Sequence, residues 1–327
     1  MTAPSVLIDG ATGYLGSHLA YALDGGEYGV RCLVHTKAGD EDIASLKACH
    51  AQIFRGSLTD ASSEDAIRLA FRNVVAAVHL IGSIAPKRGE KLSDLHVEQT
   101  QAFVEYCQEA GVERIIMITS LGCQKDAKSQ YHKTKWQAEE VVRRSGIPYV
   151  ILRPSLIVGR TYGRRDSKMV SRYLRIIETK LVVPLIAGGG NKVQPIFVGD
   201  LVFAIMRCVF EDSANDAIFG HEFDLGGPEV VTMREFVEML MTQVVGKKRA
   251  VTSIPVPLAS MLSLVMQLTQ EVPTLSLDQV RIAQQDNICQ ENALKLVLGI
   301  EPTPLSKALA TYRGKMPPKT NRPQEVS

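Results

Sequence analysis

The 327-residue chain is predicted to form an α/β fold, a doubly wound parallel sheet joined to a smaller, mainly helical C-terminal part. Three observations predict it. Short β-rich apolar runs alternate with helix-length stretches, a glycine-spaced segment sits at the first strand-to-helix junction, and the strand rhythm stops after "FDLGG". Strands separated by helix-length segments pair in parallel, with helices covering both faces of the sheet.

In chain order the predicted strands are "SVLID", "VRCLVH", "AQIFRG", "AAVHLIG", "RIIMITS", "YVILRPS" and, later, "VQPIFV". Each is a short apolar run rich in β-branched residues. Beyond "FDLGG", "TMREFVEMLMTQVVG" begins the helical part, and "GKMPPKTNRPQEVS" is a polar, proline-containing tail with no core to join.

Hydrophobic residues make up 45% and charged residues 22% of the chain, the balance of a soluble globular protein of one or two domains. A formal net charge of +2, with no bases interleaved with aromatics, argues against a nucleic-acid partner. The six cysteines lack metal-ligand spacing and read as buried thiols of a reducing compartment, so no metal site is expected. "MTAPSVLIDG" enters a strand with neither a basic region nor a separate apolar one, so the expected location is cytoplasmic. The longest apolar run, Pro257 to Gln270, is too short to span a membrane. Its methionine-rich face is expected to pack on its own domain, with a membrane surface as the alternative.

The first chemical motif is "GATGYLGSHLAYAL". Gly10, Gly13 and Gly16 follow a strand and open an apolar-periodic helix, the context in which glycines permit a tight turn, approach of a pyrophosphate and close helix packing. The candidate pyrophosphate cradle is therefore Gly10, Thr12, Gly13, Tyr14, Leu15 and Gly16, on a Rossmann-type sheet. The second motif is "QYHKTKWQAEE", in which Tyr131 and Lys135 share one helix face. A tyrosine of ordinary pKa near 10 needs a neighbouring cation to exchange a proton at neutral pH, and Lys135 is placed to supply it.

The Gly10, Gly13, Gly16 spacing together with the Tyr131–Lys135 pair resembles the short-chain dehydrogenase/reductase superfamily. "ERIIMITSLG", "YHKTKWQAEEVVRRSGIPYVILRPSLIVG", "GGGNKVQPIFVGDL", "FDLGGPEVVTMREFVE" and "LDQVRIAQQDNICQENALKLVLGIEPTPLSKAL" extend the likeness over almost the whole chain. They are similar to its atypical, extended members related to the NAD(P)-binding accessory subunit of respiratory complex I. The resemblance implies a dinucleotide-binding domain at residues 1–159 and 191–222, a discontinuous substrate lobe at 160–190 and 223–315, and a tail at 316–327.

It also implies site residues. Where NAD-binding members carry an acid at the end of the second strand, this chain has His35, Thr36 and Lys37. His35 and Lys37 suit a 2′-phosphate, so NADP(H) is expected ahead of NAD(H). Ser57 and Leu58 fall at the adenine, Leu80, Ile81 and Gly82 at the ribose, and Pro154 and Ser155 of "RPS" near the nicotinamide, with Lys135 on its ribose. Ser120 matches the substrate-orienting serine, with Thr119 as a rival. His96 stands where an asparagine is usual and Gln99 where a glycine is usual, so His96 is either a satisfied helix histidine or a substituted relay member. The loop "GRTYGRRDSKMVSR" sets Arg160, Arg164, Arg165, Lys168 and Arg172 beside the expected nicotinamide end.

Two functions follow as expectations. One is an NADPH-dependent reductase or dehydrogenase of an unidentified carbonyl or alcohol using Tyr131 and Lys135. The other is a catalytically silent nucleotide-binding accessory or assembly protein of a respiratory or membrane complex, attached peripherally to the membrane.

Overall fold

The computed structural model describes residues 4–84, 89–160, 162 and 165–313. Arg164 and the expected tail at 316–327 lie outside the described residues. The first half alternates strictly: β1 (Ser5–Ile8), α1 (Tyr14–Leu23), β2 (Gly29–Val34), α2 (Asp40–Lys47), β3 (Gln52–Arg55), α3 (Glu64–Phe71), β4 (Val74–His79), α4 (Gln99–Ala110), β5 (Arg114–Ile118), α5 (Gln130–Arg143) and β6 (Tyr149–Pro154). Then come β7 (Ile157–Val158), α6 (Lys168–Thr179), β8 (Val182–Ile186), β9 (Lys192–Val193), β10 (Ile196–Phe197), α7 (Val198–Phe210) and β11 (His221–Leu225). The remainder holds β12 (Val231–Thr232), α8 (Met233–Met239), β13 (Ala250–Ile254), α9 (Val256–Thr269), α10 (Leu277–Ile282), α11 (Ala293–Leu296) and α12 (Leu305–Ala310).

Seven strands form one all-parallel sheet in the order β11-β6-β5-β4-β1-β2-β3. The chain winds outward from β1 to β3, then returns to begin again at β4. That reversal opens a crevice between the carboxyl ends of β1 and β4, the place where such sheets take ligands. Successive side chains point to opposite faces, so Val6 and Ile8 enter a core with Leu19 and Ile205, while Leu7 enters the opposite core with Phe71, Phe103, Met117 and Ile151. Burial on both faces accounts for the near-continuous apolar composition of these strands.

A third core gathers Val170, Ile177, Val183, Leu185, Phe236, Val237, Leu240 and Leu309 from the later segments. Here the sequence expectation is adjusted. "VQPIFV" is not a strand of the large sheet, because Pro195 supplies no amide to a ladder; only Ile196 and Phe197 pair, with Ile157 and Val158. The seventh strand is β11 instead, and the expected 222/223 boundary falls within it.

Helix α9 also departs from expectation. Only Ala259 and Ser263 of it are buried, whereas Met261 is 57%, Val265 53% and Leu268 70% exposed. Its apolar residues face outward rather than onto their own domain. Among the described residues no helix is long and apolar enough to cross a membrane.

Candidate functional site

Gly10 has a φ of 60°, the left-handed region that glycine enters without strain, and its carbonyl accepts the Gly13 amide at 2.8 Å to close the turn. At Gly16 the requirement is space, since a Cβ there would meet Gly10 O at 2.5 Å. Gly13 caps α1 without a side chain, and the first turn of the helix contains no acid. The leading amides and the positive pole of α1 are therefore available to an anion. Thr12 lines a narrow cleft with Ser17 and Arg165. The side chains of Tyr14 and Leu15 are turned into the protein: Tyr14 Oη donates to Gly159 O at 2.5 Å, and Leu15 joins the core. Burial first, then Tyr312, pushes the Tyr14 phenol well above its ordinary range.

At the ends of β2 and β3, where adenosine contacts were expected, His35 and Lys37 are exposed and Ser57 is half-buried. Leu58 belongs to the core around Ile67 and Phe71, so its side chain packs inward. The described part of the basic loop lies on this side of the molecule. The Tyr162 ring stacks on Tyr21 at 3.5 Å and its amide donates to His18 Nε2 at 3.0 Å, while Arg165 pairs with Asp42 at 2.7 Å. Arg172 turns away to the carbonyl of Thr274. The expected position beside the nicotinamide end is thus not observed for Arg165, because Tyr14, His18 and Tyr21 give α1 an aromatic face on which the loop settles. Burial lowers the His18 pKa to about 4, with the Tyr14 carbonyl opposing.

At the other end, Tyr131 and Lys135 emerge from the first turns of α5. Ser129 Oγ accepts the His132 amide at 3.1 Å, and the Asp278 carboxylate, from α10, accepts those of Gln130 at 3.0 Å and Tyr131 at 2.8 Å. Lys135 is 3% exposed and donates to Ile81 O at 2.7 Å. A Cβ on Gly82 would stand 2.6 Å from its Nζ, so Ile81, Gly82 and Lys135 meet at one point. Burial lowers the lysine's pKa; Cys123, Asp9 and Glu139 oppose it.

Tyr131 is half-buried, and burial followed by Cys123 raises its pKa, with the Ser120 hydroxyl opposing. The phenol therefore keeps its proton at neutral pH. Thr119 donates to Glu139 Oε1 at 2.7 Å, inside a cluster that binds Arg153, which leaves Ser120 rather than Thr119 beside Tyr131. Pro154 ends β6, and Ser155 Oγ donates to Gln194 O, fixing the backbone there.

His96 lies in a π turn, Asp94–Glu98, that runs into α4, and it is 0% exposed. The Thr134 hydroxyl donates to Gln130 O at 2.9 Å, so at its 2.7 Å contact with His96 Nδ1 it must accept. Nε2 is buried, and no described residue meets it in hydrogen-bond geometry. Burial and the Lys135 cation hold the ring neutral, with a pKa of about 3, against the Ser83 backbone. The His96 and Tyr131 rings meet edge-on at 5.5 Å.

Beneath the glycine turn lies a polar chain that sequence reasoning missed. Asp9 accepts the Leu80 amide at 2.5 Å and binds His79 Nδ1, His79 Nε2 meets Thr100 Oγ1 at 2.8 Å, and Thr100 donates to His96 O at 2.6 Å. Asp9 in "VLID" and His79 in "AAVHL" are polar residues at buried strand positions, a signal visible in the sequence. Asp278 gave none, since its partners are about 150 residues away.

The profile of the NAD(P)H-binding family matches residues 10–170. The chain is similar to the mitochondrial NADH dehydrogenase (ubiquinone) 1 alpha subcomplex subunit 9 of Arabidopsis thaliana, 26% identical over 298 residues, covering 88% of this chain and 71% of that protein. The Mus musculus counterpart is 27% identical over 304 residues, covering 90% and 76%. Among solved structures, the UDP-glucose 4-epimerase of Thermotoga maritima with UDP-glucose superposes with a TM-score of 0.71 at 18% identity, covering 94% of this chain and 97% of that one. The UDP-glucuronic acid 4-epimerase of Bacillus cereus, in complex with UDP-glucuronic acid and NAD, gives 0.69 at 18%, covering 94% and 98%. At such identities the likeness is one of fold. With its glycine turn at the switch point of a seven-stranded parallel sheet, residues 10–170 of this chain belong to the NAD(P)H-binding family, in a short-chain dehydrogenase/reductase-like fold.

Proposed function

We propose that the chain is an NADP(H)-dependent reductase of a carbonyl compound. The observation that carries this reading is the placement of Tyr131 on the same helix face as the buried Lys135 cation, with the Ser120 hydroxyl beside the phenol. The residues present fit a nicotinamide nucleotide. One end of the crevice has a helix pole with no side-chain cap, and the other has a buried imidazole nitrogen, His96 Nε2, that no described residue meets in hydrogen-bond geometry. Gly10, Thr12, Gly13 and the amides of Tyr14 and Leu15 would hold the pyrophosphate, with Gly16 allowing α1 to sit close. His35 and Lys37 would hold the 2′-phosphate and Ser57 the adenine; Leu80, Ile81, Gly82 and Lys135 would hold the ribose nearer the chemistry. The segments 160–190 and 223–315 would form the lobe over that end.

Bound there, the nucleotide supplies a hydride. Tyr131 Oη gives its proton to the substrate carbonyl oxygen, and Ser120 Oγ donates a hydrogen bond to the same oxygen. At neutral pH the phenol carries its proton and so enters the reductive direction as the acid. The test is a panel of aldehydes, ketones and quinones with NADPH and with NADH. NADPH-linked turnover of at least one carbonyl is expected; tight nucleotide binding with no turnover anywhere would sink the reading.

A second reading, a silent accessory or assembly protein at a membrane complex, is favoured by the outward apolar face of α9 and by relatives that are named as NADH dehydrogenase subunits. Replacing Leu264 and Leu268 by serine should then abolish flotation with lipid vesicles without altering nucleotide affinity. Flotation of the substituted chain equal to that of the parent removes this support.

A further inference from the structure

We propose that Arg55 is the fixed cation of the 2′-phosphate subsite and so a determinant of the preference for NADP(H). This rests on the NADP(H) reading above. Strands β2 and β3 pair in parallel with Arg55 beside Val34, and the Gly56 amide donates to Val34 O at 2.9 Å. Arg55 therefore leaves the sheet next to His35, at the strand end where such folds read the adenosine ribose.

Its guanidinium is held before any ligand arrives. Nη1 donates to Thr36 O and to Ala38 O, both at 3.1 Å, so the loop beyond β2 is wrapped around it. Nη2 faces Asp40 Oδ1 at 3.7 Å, a long contact with a fully exposed carboxylate that contributes little. A guanidinium fixed by two carbonyls still has donors to offer a phosphate, in the planar geometry that suits one.

Two neighbours point the same way. The Lys37 amide donates to His35 Nδ1 at 3.1 Å, so the neutral ring carries its proton on Nε2 and offers a second donor. Lys37 adds an exposed ammonium. The acids of α2, Asp40, Glu41 and Asp42, are the opposing feature: Asp42 is paired with Arg165 at 2.7 Å, and Asp40 is the carboxylate that faces Arg55 and that a phosphate must displace. A 2′-phosphate replaces one weak anion with a dianion, whereas the 2′-hydroxyl of NAD(H) has no charge with which to compete.

Calorimetry on the full chain tests this with NADPH and NADH, and with adenosine 2′,5′-bisphosphate and adenosine 5′-phosphate as probes free of nicotinamide. Arg55→Gln should weaken NADPH and the bisphosphate about tenfold or more while leaving NADH and the monophosphate within about twofold. Asp40→Asn should tighten NADPH alone. If Arg55→Gln weakens NADH as much as NADPH, Arg55 only supports the loop and the inference fails. It fails equally if the variant leaves a wild-type preference for NADPH intact, an outcome that would still uphold the NADP(H) reading. Equal wild-type affinities for NADPH and NADH would instead overturn that reading, and with it any role for Arg55 in selection.

Discussion

The two ends of the crevice are built on opposite physical terms. At the adenosine end His35, Lys37 and Arg55 are exposed, and their hydrogen bonds run to loop backbone within a few residues of β2. At the other end Lys135 and His96 are buried with Tyr131 beside them, and their partners come from the segment after β4, from α5 and from α10. Exposed groups tied to a loop can change with little effect on folding, whereas buried polar groups are coupled to the stability of everything around them. On the proposed function, selection among nucleotides is separable from the fold in this molecule, and the chemistry is not.

The widest break in that comparison should come from Gly13, which serves both ends. Gly13→Val adds a branched side chain at the mouth of α1, with its Cβ already 3.0 Å from Gly10 O. Binding of NADPH and NADH should both be abolished in a chain whose circular dichroism is unchanged; normal binding would reduce the glycine stretch to a turn.

Next in size is the split between holding and reacting at the buried end. Tyr131→Phe keeps the ring, so NADPH affinity should be retained while single-turnover reduction of any active carbonyl drops about 10²-fold or more. Lys135→Met should lose both, and its melting temperature should fall, because the Ile81 carbonyl loses its donor. Reduction surviving Tyr131→Phe would shift the proton to His96 or to a water.

A last effect is a dependence on acid that arises from two buried imidazoles. His18 and His96 are held neutral in the fold, with pKa values lowered from 6.5 to about 4 and about 3. The unfolded chain therefore binds protons that the native chain does not, and stability is complete above pH 6.5 and declines as pH falls toward those values. Each histidine should contribute a slope of about 1.4 kcal/mol per pH unit within its window. Denaturant titrations of His96→Asn should show a shallower decline than the parent. An unchanged slope in His96→Asn would mean that His96 does not titrate on unfolding.

Much of the fold was legible because its signals are local. The glycine turn, the strand alternation and the Tyr131–Lys135 face depend on neighbours within a few residues, and each reappears in the structure. The exceptions have long-range causes. "VQPIFV" looked like a sheet strand until Pro195 and its pairing partners were fixed, and α9 looked like a packing helix because an apolar face does not reveal which way it is turned. Arg55 was invisible as a candidate since it gains meaning only when β3 lies beside β2. Of the site residues named from sequence, Ile81, Gly82 and Lys135 converge, whereas Leu58 and Ser155 are taken up by the core and by backbone support.

The Asp278 carboxylate on the Gln130 and Tyr131 amides has a consequence for charge preference. An α-helix presents about half a positive charge at its start, and in α1 that pole faces the crevice without a side-chain cap. In α5 the corresponding pole is neutralised by a carboxylate from elsewhere in the chain, and its next amide is taken by Ser129. A substrate approaching Tyr131 therefore gains nothing from the helix field for carrying negative charge. The molecule concentrates its backbone attraction for anions at one helix and cancels it at the other, so the reacting end should accept neutral carbonyl compounds as readily as acidic ones.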